Sequence, residues 1–379
     1  MKNARDRKMK IVLQMVSGYG GEFKSWRMPG AVVDAYTNID NYVEKAKIAE
    51  RGKIHSLFIA DTPSLTNDIS INSPMHSLDP LLLLTAVARE TKHIGLVATY
   101  STTFNEPYNL ARHLKTLDIM SNGRAGWNAV TTSNPTTALN FGQHLPSRNV
   151  RYDMAHEHIS AVQSLWGSFG KNAYKLDATS GQFIDTNEVN LANYNGQYYQ
   201  TRGPLPIPPS PQYQPPIFQA GGGEKGIELA GRFASGVYAN PFTKEEALLQ
   251  RTLLRESAEA YGRNPNDIKM FAGFMFSIGK TKEEALNRRR MLLDFAPKET
   301  EQHVAYLGQM VGLSFNINTI DINQPLPETL LSQARPSLMD PRSNRALELL
   351  QSGLSIKDVL AHGVINYHPV VVGLSLIHI

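Results

Sequence analysis

One repeated pattern constrains this chain more than any other feature. A short run of β-branched and apolar residues is followed by a longer stretch with apolar residues every three or four positions, again and again from residue 10 onward. The short runs fall at 10–16, 56–60, 94–99, 124–130, 216–220, 236–239 and 270–278, seven candidate strands in all. Strands that alternate with helices become parallel neighbours, because each helix carries the chain back to the starting edge of the sheet. Two α/β arrangements satisfy the pattern: a (β/α)8 TIM barrel with its last βα unit missing, and an open doubly wound sheet. Both place function at the carboxyl ends of the strands, so the residues just beyond each run matter most.

The helical stretches carry their own punctuation. Ile39, Tyr42, Val43, Ala46 and Ala49 share one helix face, and Gly52 stands at the C-terminal cap position. Asp79-Pro80 reads as a capping aspartate before a first-turn proline. Tyr152, Ala155, Ile159, Val162 and Leu165 stripe another helix, and Thr243 with Glu246 and Thr281 with Glu284 have capping-box spacing. Two stretches interrupt the alternation, at about 168–215 and about 295–345. The first ends in PLPIPPSPQYQPP, with seven of the 22 prolines, and reads as extended, polyproline-like backbone. The same strand and helix character resumes after it, which favours an elaborated loop over an interdomain linker. Residues 1–373 are therefore expected to form a single domain with two insertions.

Composition narrows the chemistry. With 41% apolar and 19% charged residues the chain can bury a core, which excludes disorder. Its 38 basic and 34 acidic side chains leave only +4, too thin and scattered for a nucleic-acid or anionic-membrane binder. The absence of cysteine removes disulfides, thiolate metal sites and a cysteine nucleophile. The apolar run 11–16 is too short for a signal peptide, and no stretch is long enough to span a membrane. A cytoplasmic protein acting on a small molecule is expected.

At the strand ends, Asp61 is an acid in an apolar context, open to a ligand role or to simple turn capping. Ser101, Thr102 and Thr103 offer hydroxyls to a polar ligand, although such residues often cap helices. Asn128 places an amide within an apolar strand, where it needs either a ligand or a neighbouring backbone group. Trp127, of opposite parity, reads as core. Residues 219–226, QAGGGEKG, run from strand into helix and formally match G-x-G-x-x-G. The next strand ends in Asn240 rather than a ribose-binding acid, so the turn reads as a phosphate cradle of another kind. His156-Glu157-His158 cannot hold one ion, because helix residues two apart face different ways, and no metal is expected.

Taken together, AERGKIHSLFIADTPS (49–64), IGLVATYSTTFNEPYNLAR (94–112), LDIMSNGRAGWNAVTTSNPTTALNFG (117–142), RYDMAHEHI (151–159) and QAGGGEKGIELAGRFASGVYAN (219–240) resemble the bacterial luciferase-like flavin monooxygenases. Within that family the resemblance is to the nitrilotriacetate, pristinamycin-synthase and dibenzothiophene-sulfone monooxygenase branch, from about residue 10 to Gly373. It implies a TIM barrel that takes reduced FMN (FMNH2) from a separate NAD(P)H:flavin reductase. O2 then forms a flavin C4a-hydroperoxide, which oxygenates a small organic substrate. A homo-oligomer is expected. The resemblance places Asp61 and Thr103 at the isoalloxazine, Asn128 on the strand that lines the flavin, Tyr152 at the ribityl or phosphate side, and Arg148 and the backbone N–H groups of Gly223 and Glu224 at the phosphate. It singles out no catalytic acid or base. Three positions depart from the family: Arg148 replaces a histidine, Gly223 a serine, and Ser25 a histidine before Trp26-Arg27. Residues 374–379 leave the family pattern and read as a non-native tail. An F420-dependent oxidoreductase of the same fold, or a truncated flavin-binding barrel without activity, are the alternatives.

Overall fold

The computed structural model describes residues 9–22, 24–65, 69–74, 76, 78–338 and 340–373; the basic start and the tail 374–379 lie outside them. In chain order come β1 (Val12–Gln14), α1 (Ile39–Arg51), β2 (Ser56–Ile59), α2 (Pro80–Glu90), β3 (Gly95–Ser101), α3 (Pro107–Met120), β4 (Ala125–Val130), α4 (Pro135–Asn140) and α5 (Arg148–Trp166). The first insertion holds two small antiparallel hairpins, β5 (Tyr174–Asp177) with β6 (Gln182–Ile184), and β7 (Tyr194–Asn195) with β8 (Gln200–Thr201). The alternation then resumes with β9 (Ile217–Gln219), α6 (Glu224–Phe233), β10 (Gly236–Ala239), α7 (Lys244–Ala260), β11 (Lys269–Ala272), β12 (Met275–Ile278) and α8 (Lys282–Asp294). The rest of the chain supplies α9 (Pro297–Val311), α10 (Glu328–Leu331), α11 (Arg342–Gln351), α12 (Ile356–Ala361) and β13 (Val370–Gly373).

Seven strands pair in parallel in the order β1-β2-β3-β4-β9-β10-β11, a nearly closed barrel rather than an open doubly wound sheet. Strand parity explains the layers. Leu57 and Ile59, Leu96 and Ala98, and Trp127 and Ala129 point outward into one buried cluster with Tyr42, Leu84, Leu114 and Val162 of the surrounding helices. The alternate residues point inward. Phe58 of β2 and Tyr238 of β10 stack at 6.2 Å although their strands are far apart in the sheet, which only a curled sheet allows.

Two expectations need correction. The seventh run is not one strand: it breaks at Gly273 and Phe274, where its partner changes. Gly273 N–H still donates to Ala239 of β10, at 2.8 Å, whereas Met275 N–H donates to Pro369, at 2.9 Å. The second half thus pairs with β13, an additional parallel strand that the sequence reading did not contain. At the head of α8, Thr281 accepts from Glu284 N–H, but the Glu284 carboxylate turns to Lys280 N–H, so the box is only half formed. The box at Thr243 and Glu246 is complete.

The insertions are fixed in different ways. The proline-rich segment contains no helix or strand and is tied to α3, where buried Lys115 donates to the Tyr213 carbonyl and Gln212 Nε2 donates to Asp118. The second insertion shares a buried cluster with the residues that follow it, with Val304, Leu307 and Val311 of α9 against Leu349 and Leu350 of α11 and Val359 and Leu360 of α12. Among the described residues no helix is long and apolar enough to cross a membrane.

Candidate active site

Three sequence-predicted residues fall at the ends of consecutive strands. Asp61 follows β2, and burial, reinforced by the nearby Asp79 carboxylate, pushes its carboxyl up to about 6. Asp79 is occupied: it caps α2 through the N–H groups of Leu81 and Leu82 and accepts the Tyr100 hydroxyl at 2.5 Å. Beside Asp61, Thr62 Oγ1 lies 2.6 Å from Nδ1 of His76, whose imidazole burial drives down to about 4, so it is neutral at neutral pH.

After β3 the chain turns tightly on its own hydroxyls. Ser101 Oγ accepts from Thr103 N–H and from the Thr132 hydroxyl, Thr102 Oγ1 donates to the Val130 carbonyl, and Thr103 Oγ1 donates to the Thr131 carbonyl at 3.1 Å. These bonds use the hydroxyl protons of Thr102 and Thr103, so a ligand at this turn would find acceptors. Asn128 on β4 is 3% exposed. Its Nδ2 donates to Thr99 Oγ1 at 2.9 Å, while Oδ1 is buried with no partner among the described residues. An orphaned buried carbonyl costs about 1–3 kcal/mol, so this acceptor is held ready for a donor. Trp127 packs outward against Trp166 and His158, as its parity predicts.

The second group gathers at the end of β9. Gly221, Gly222 and Gly223 form a turn into α6, whose N-cap, Gly223, offers no side-chain cap. Arg148 and Tyr152 lie one turn apart on α5, with the guanidinium 5.9 Å from the tyrosine ring. Both reach the glycines. A Cβ on Gly223 would sit 2.6 Å from Arg148 Nη2, and one on Gly221 would sit 2.9 Å from the Tyr152 hydroxyl. A cation, a hydroxyl and an uncapped helix N-terminus thus meet over backbone that has no side chain, which is the chemistry of an anion cradle. The structure brings Arg148, Tyr152, Gly223 and Glu224 together here. It shows no hydrogen bond between them and the Asp61, Thr103 and Asn128 row among the described residues.

The His-Glu-His stretch on α5 divides three ways. His156 approaches Arg232, Glu157 accepts the N–H groups of Gln197, Tyr198 and Tyr199, and His158 is buried against Trp127 with Nε2 2.9 Å from the Asn105 carbonyl. No cluster that could hold a metal occurs among the described residues. Sequence reasoning missed Tyr199, whose hydroxyl comes from the first insertion to donate to the Thr102 carbonyl at 2.6 Å. It also missed His368, whose Nε2 lies 2.8 Å from the Tyr238 hydroxyl. Both contacts join segments far apart in the chain and leave no local signal. Near the amino end, Ser25–Arg27 is one 3-10 turn, in which Trp26 Nε1 donates to the Ile71 carbonyl and Arg27 covers the Phe295 ring at 4.4 Å.

A parallel barrel whose strand ends carry a buried polar row beside a glycine-turn anion cradle defines a cofactor-using α/β-barrel enzyme. Residues 21–319 match the luciferase-like monooxygenase family, and the chain belongs to it. It is 36% identical over 321 residues to the N-acetyl-S-(2-succino)cysteine monooxygenase of Bacillus subtilis, covering 83% of this chain and 70% of that one. It is 34% identical to nitrilotriacetate monooxygenase component A of Aminobacter aminovorans, covering 84% and 72%. Among solved structures, a riboflavin lyase with modified FMN and its substrate riboflavin superposes with a TM-score of 0.74 and 29% identity, covering 97% of this chain and 82% of that chain. The protein is accordingly a flavin-dependent monooxygenase of this family.

Proposed function

We propose that this chain is the oxygenating component of a two-component system, which receives reduced FMN from a separate NAD(P)H:flavin reductase and oxygenates a small organic substrate with O2. The observation that carries the reading is the arginine-over-glycine cradle. The missing side chains of Gly221 and Gly223 let Tyr152 and Arg148 approach the backbone closely, and the donors gathered there suit a phosphate dianion. Arg148, Tyr152 and the backbone N–H groups of Gly223 and Glu224 would hold that phosphate. Asn128, with its orphaned acceptor, would receive a donor from the ring system, and Asp61 and Thr103 would flank it. When bound, the reduced flavin supplies two electrons to O2, so that one oxygen atom enters the substrate and the other leaves as water.

The protein's own contribution is to bind, orient and exclude water. Asp61, with its carboxyl near 6, exchanges a proton close to neutral pH, which suits a group beside a reaction in which protons are relocated. The glycine turn is not a dinucleotide fingerprint, since β10 leads into Asn240 and no acid stands there for a ribose. This supports a second protein as the electron source, as does the name component A borne by one relative.

Comparing FMN with riboflavin, which lacks the phosphate, tests the assignment directly. The wild-type chain should bind FMN more tightly, and Arg148→Ala should lose about tenfold in FMN affinity with riboflavin affinity unchanged. Equal affinity of the wild-type chain for the two flavins would remove the phosphate site from the cradle.

A further inference from the structure

A cavity of about 680 Å³ opens beyond the ends of β9 and β10, closed on its other side by residues 340–342 of the second insertion. Two contacts tie it to the candidate active site. Gly222 lines it, whereas the next glycine, Gly223, faces Arg148, so one turn divides the cavity from the anion cradle. Tyr238, on its wall, stacks on Phe58, which stands on β2 just ahead of Asp61. The volume suits a small organic molecule, and Tyr238, Phe242, Ile227 and Leu253 make the wall aromatic and apolar.

Three ionised side chains, Arg342, Asp340 and Glu246, also line the cavity, and each is already satisfied. Arg342 Nε donates to Asp340 Oδ1 at 2.8 Å, Nη1 to the carbonyls of Ile365 and Asn366 at 3.4 and 3.2 Å, and Nη2 to Asp340 Oδ2 and the Tyr306 hydroxyl at 2.6 and 2.9 Å. A guanidinium has five N–H bonds, and these contacts account for all of them. The same pairing neutralises Asp340, which accepts the Arg342 backbone N–H as well. Glu246 closes the capping box of α7, accepting the N–H groups of Phe242 and Thr243 at the positive end of that helix. Asn240 Oδ1 is buried against Gly273, where a Cβ would sit 2.9 Å from it, and does not open on the cavity.

What the wall still offers is uncharged. The Gln250 amide reaches over the glycine turn, 3.3 Å from where a Cβ on Gly222 would stand, and its side chain makes no hydrogen bond among the described residues. An ion entering here would leave water and meet no free counter-charge, so its desolvation cost would go uncompensated. A neutral molecule avoids that cost and keeps the aromatic contact. A polycarboxylate, such as the nitrilotriacetate in one relative's name, finds no free cation on this wall.

We infer that this cavity binds an uncharged organic molecule, with its aromatic or apolar body against Tyr238 and Phe242 and a polar group on the Gln250 amide. That the occupant is the oxygenated substrate rests on the monooxygenase reading above; that it is uncharged does not. The glycine turn then separates a charged site from a neutral one, with the anion of the cofactor on the Arg148 side and the neutral molecule on the Gln250 side.

The test uses the full chain without flavin and three probes of similar shape: 2-phenylethanol, phenethylammonium and 3-phenylpropionate, titrated by calorimetry. The alcohol should bind about tenfold more tightly than either ion. Asp340→Asn leaves Arg342 without its counter-charge and should raise the affinity for the carboxylate about tenfold. Gln250→Lys should do the same from α7 without touching the ion pair, and Gln250→Glu should raise the affinity for the ammonium ion instead. An ion that binds the wild-type chain as tightly as the alcohol, binding of none of the three, or a carboxylate affinity that rises in neither Asp340→Asn nor Gln250→Lys would overturn the inference. FMN affinity, measured separately on the same samples, keeps the two readings apart. Retained FMN binding without the preference for the alcohol sinks only the neutral site, and the reverse result sinks only the flavin assignment.

Discussion

The two sides of the barrel differ sharply. On one side, every residue of β2 is buried, and β3 and β4 are buried along most of their length, because helices cover them outside and side chains fill the interior. On the other side, β1, β11 and β12 are only half covered, and Ile11, Leu13, Phe274, Phe276 and Ile278 are each between 39% and 50% exposed. Composition does not separate the two sides, since both are apolar runs. The difference is pairing: β3 has a strand on either side, whereas β1 and β11 end the sheet among the described residues. Burial of a strand residue therefore reports the completeness of its surroundings as much as its own hydrophobicity. The polar row at Asp61, Thr103 and Asn128 stands on the finished side, where a strand end is rigid enough to hold an unpaired acceptor.

This contrast can be broken by measurement. The largest effect should come from Trp127→Ala, which empties a fully buried site between Trp166 and His158 and should cost about 3–5 kcal/mol in urea denaturation. A loss below about 1 kcal/mol would mean that the covered side is no better packed than the exposed one.

A smaller effect, of opposite sign, should appear at Asp61. Its carboxyl stands at about 6 in the fold against an ordinary 3.8, so between those values the folded chain holds a proton that the unfolded chain has released. Stability consequently falls as pH rises from about 4 to about 6, and the penalty persists above that. Asp61→Asn should therefore stabilise the protein by about 1–2 kcal/mol near pH 8, with the two curves meeting below about pH 4. A variant that is less stable than the parent at the higher pH would show that the carboxylate is favourably bound rather than strained.

The smallest effect should be at the exposed side. Phe276→Ser should change stability by less than about 0.5 kcal/mol and reduce self-association in light scattering. A loss comparable with that at Trp127 would show that this surface is covered in solution.

Much of this architecture is legible in the sequence, for reasons particular residues make plain. The strands 56–60, 94–99, 124–130 and 236–239 stand out because short apolar runs are bounded by turn residues such as Ser121-Asn122-Gly123, and those signals are local. The glycine turn is likewise readable as suited to an anion, whereas Arg148 and Tyr152 come only from the family resemblance. What escapes is whatever depends on distant partners. Nothing near Gly273 announces that its strand will exchange β10 for β13, and nothing near Tyr199 or His368 indicates the turn or hydroxyl each will meet.

The helices from Pro297 to Ala361 carry a buried cluster of their own, and this has a consequence for where the chain tolerates substitution. A body that stabilises itself can accept new surface residues without disturbing the barrel, provided that its few anchors survive. Those anchors are identifiable: Arg289, which donates to the Ala361 carbonyl and to Asn366 and pairs with Glu22, and Glu299 on α9, which pairs with Lys24 and accepts from Asn72. Substitutions on the outer face of these helices should thus leave the strand-end residues Asp61, Thr103 and Asn128 undisturbed, whereas loss of Arg289 or Glu299 should loosen the whole body.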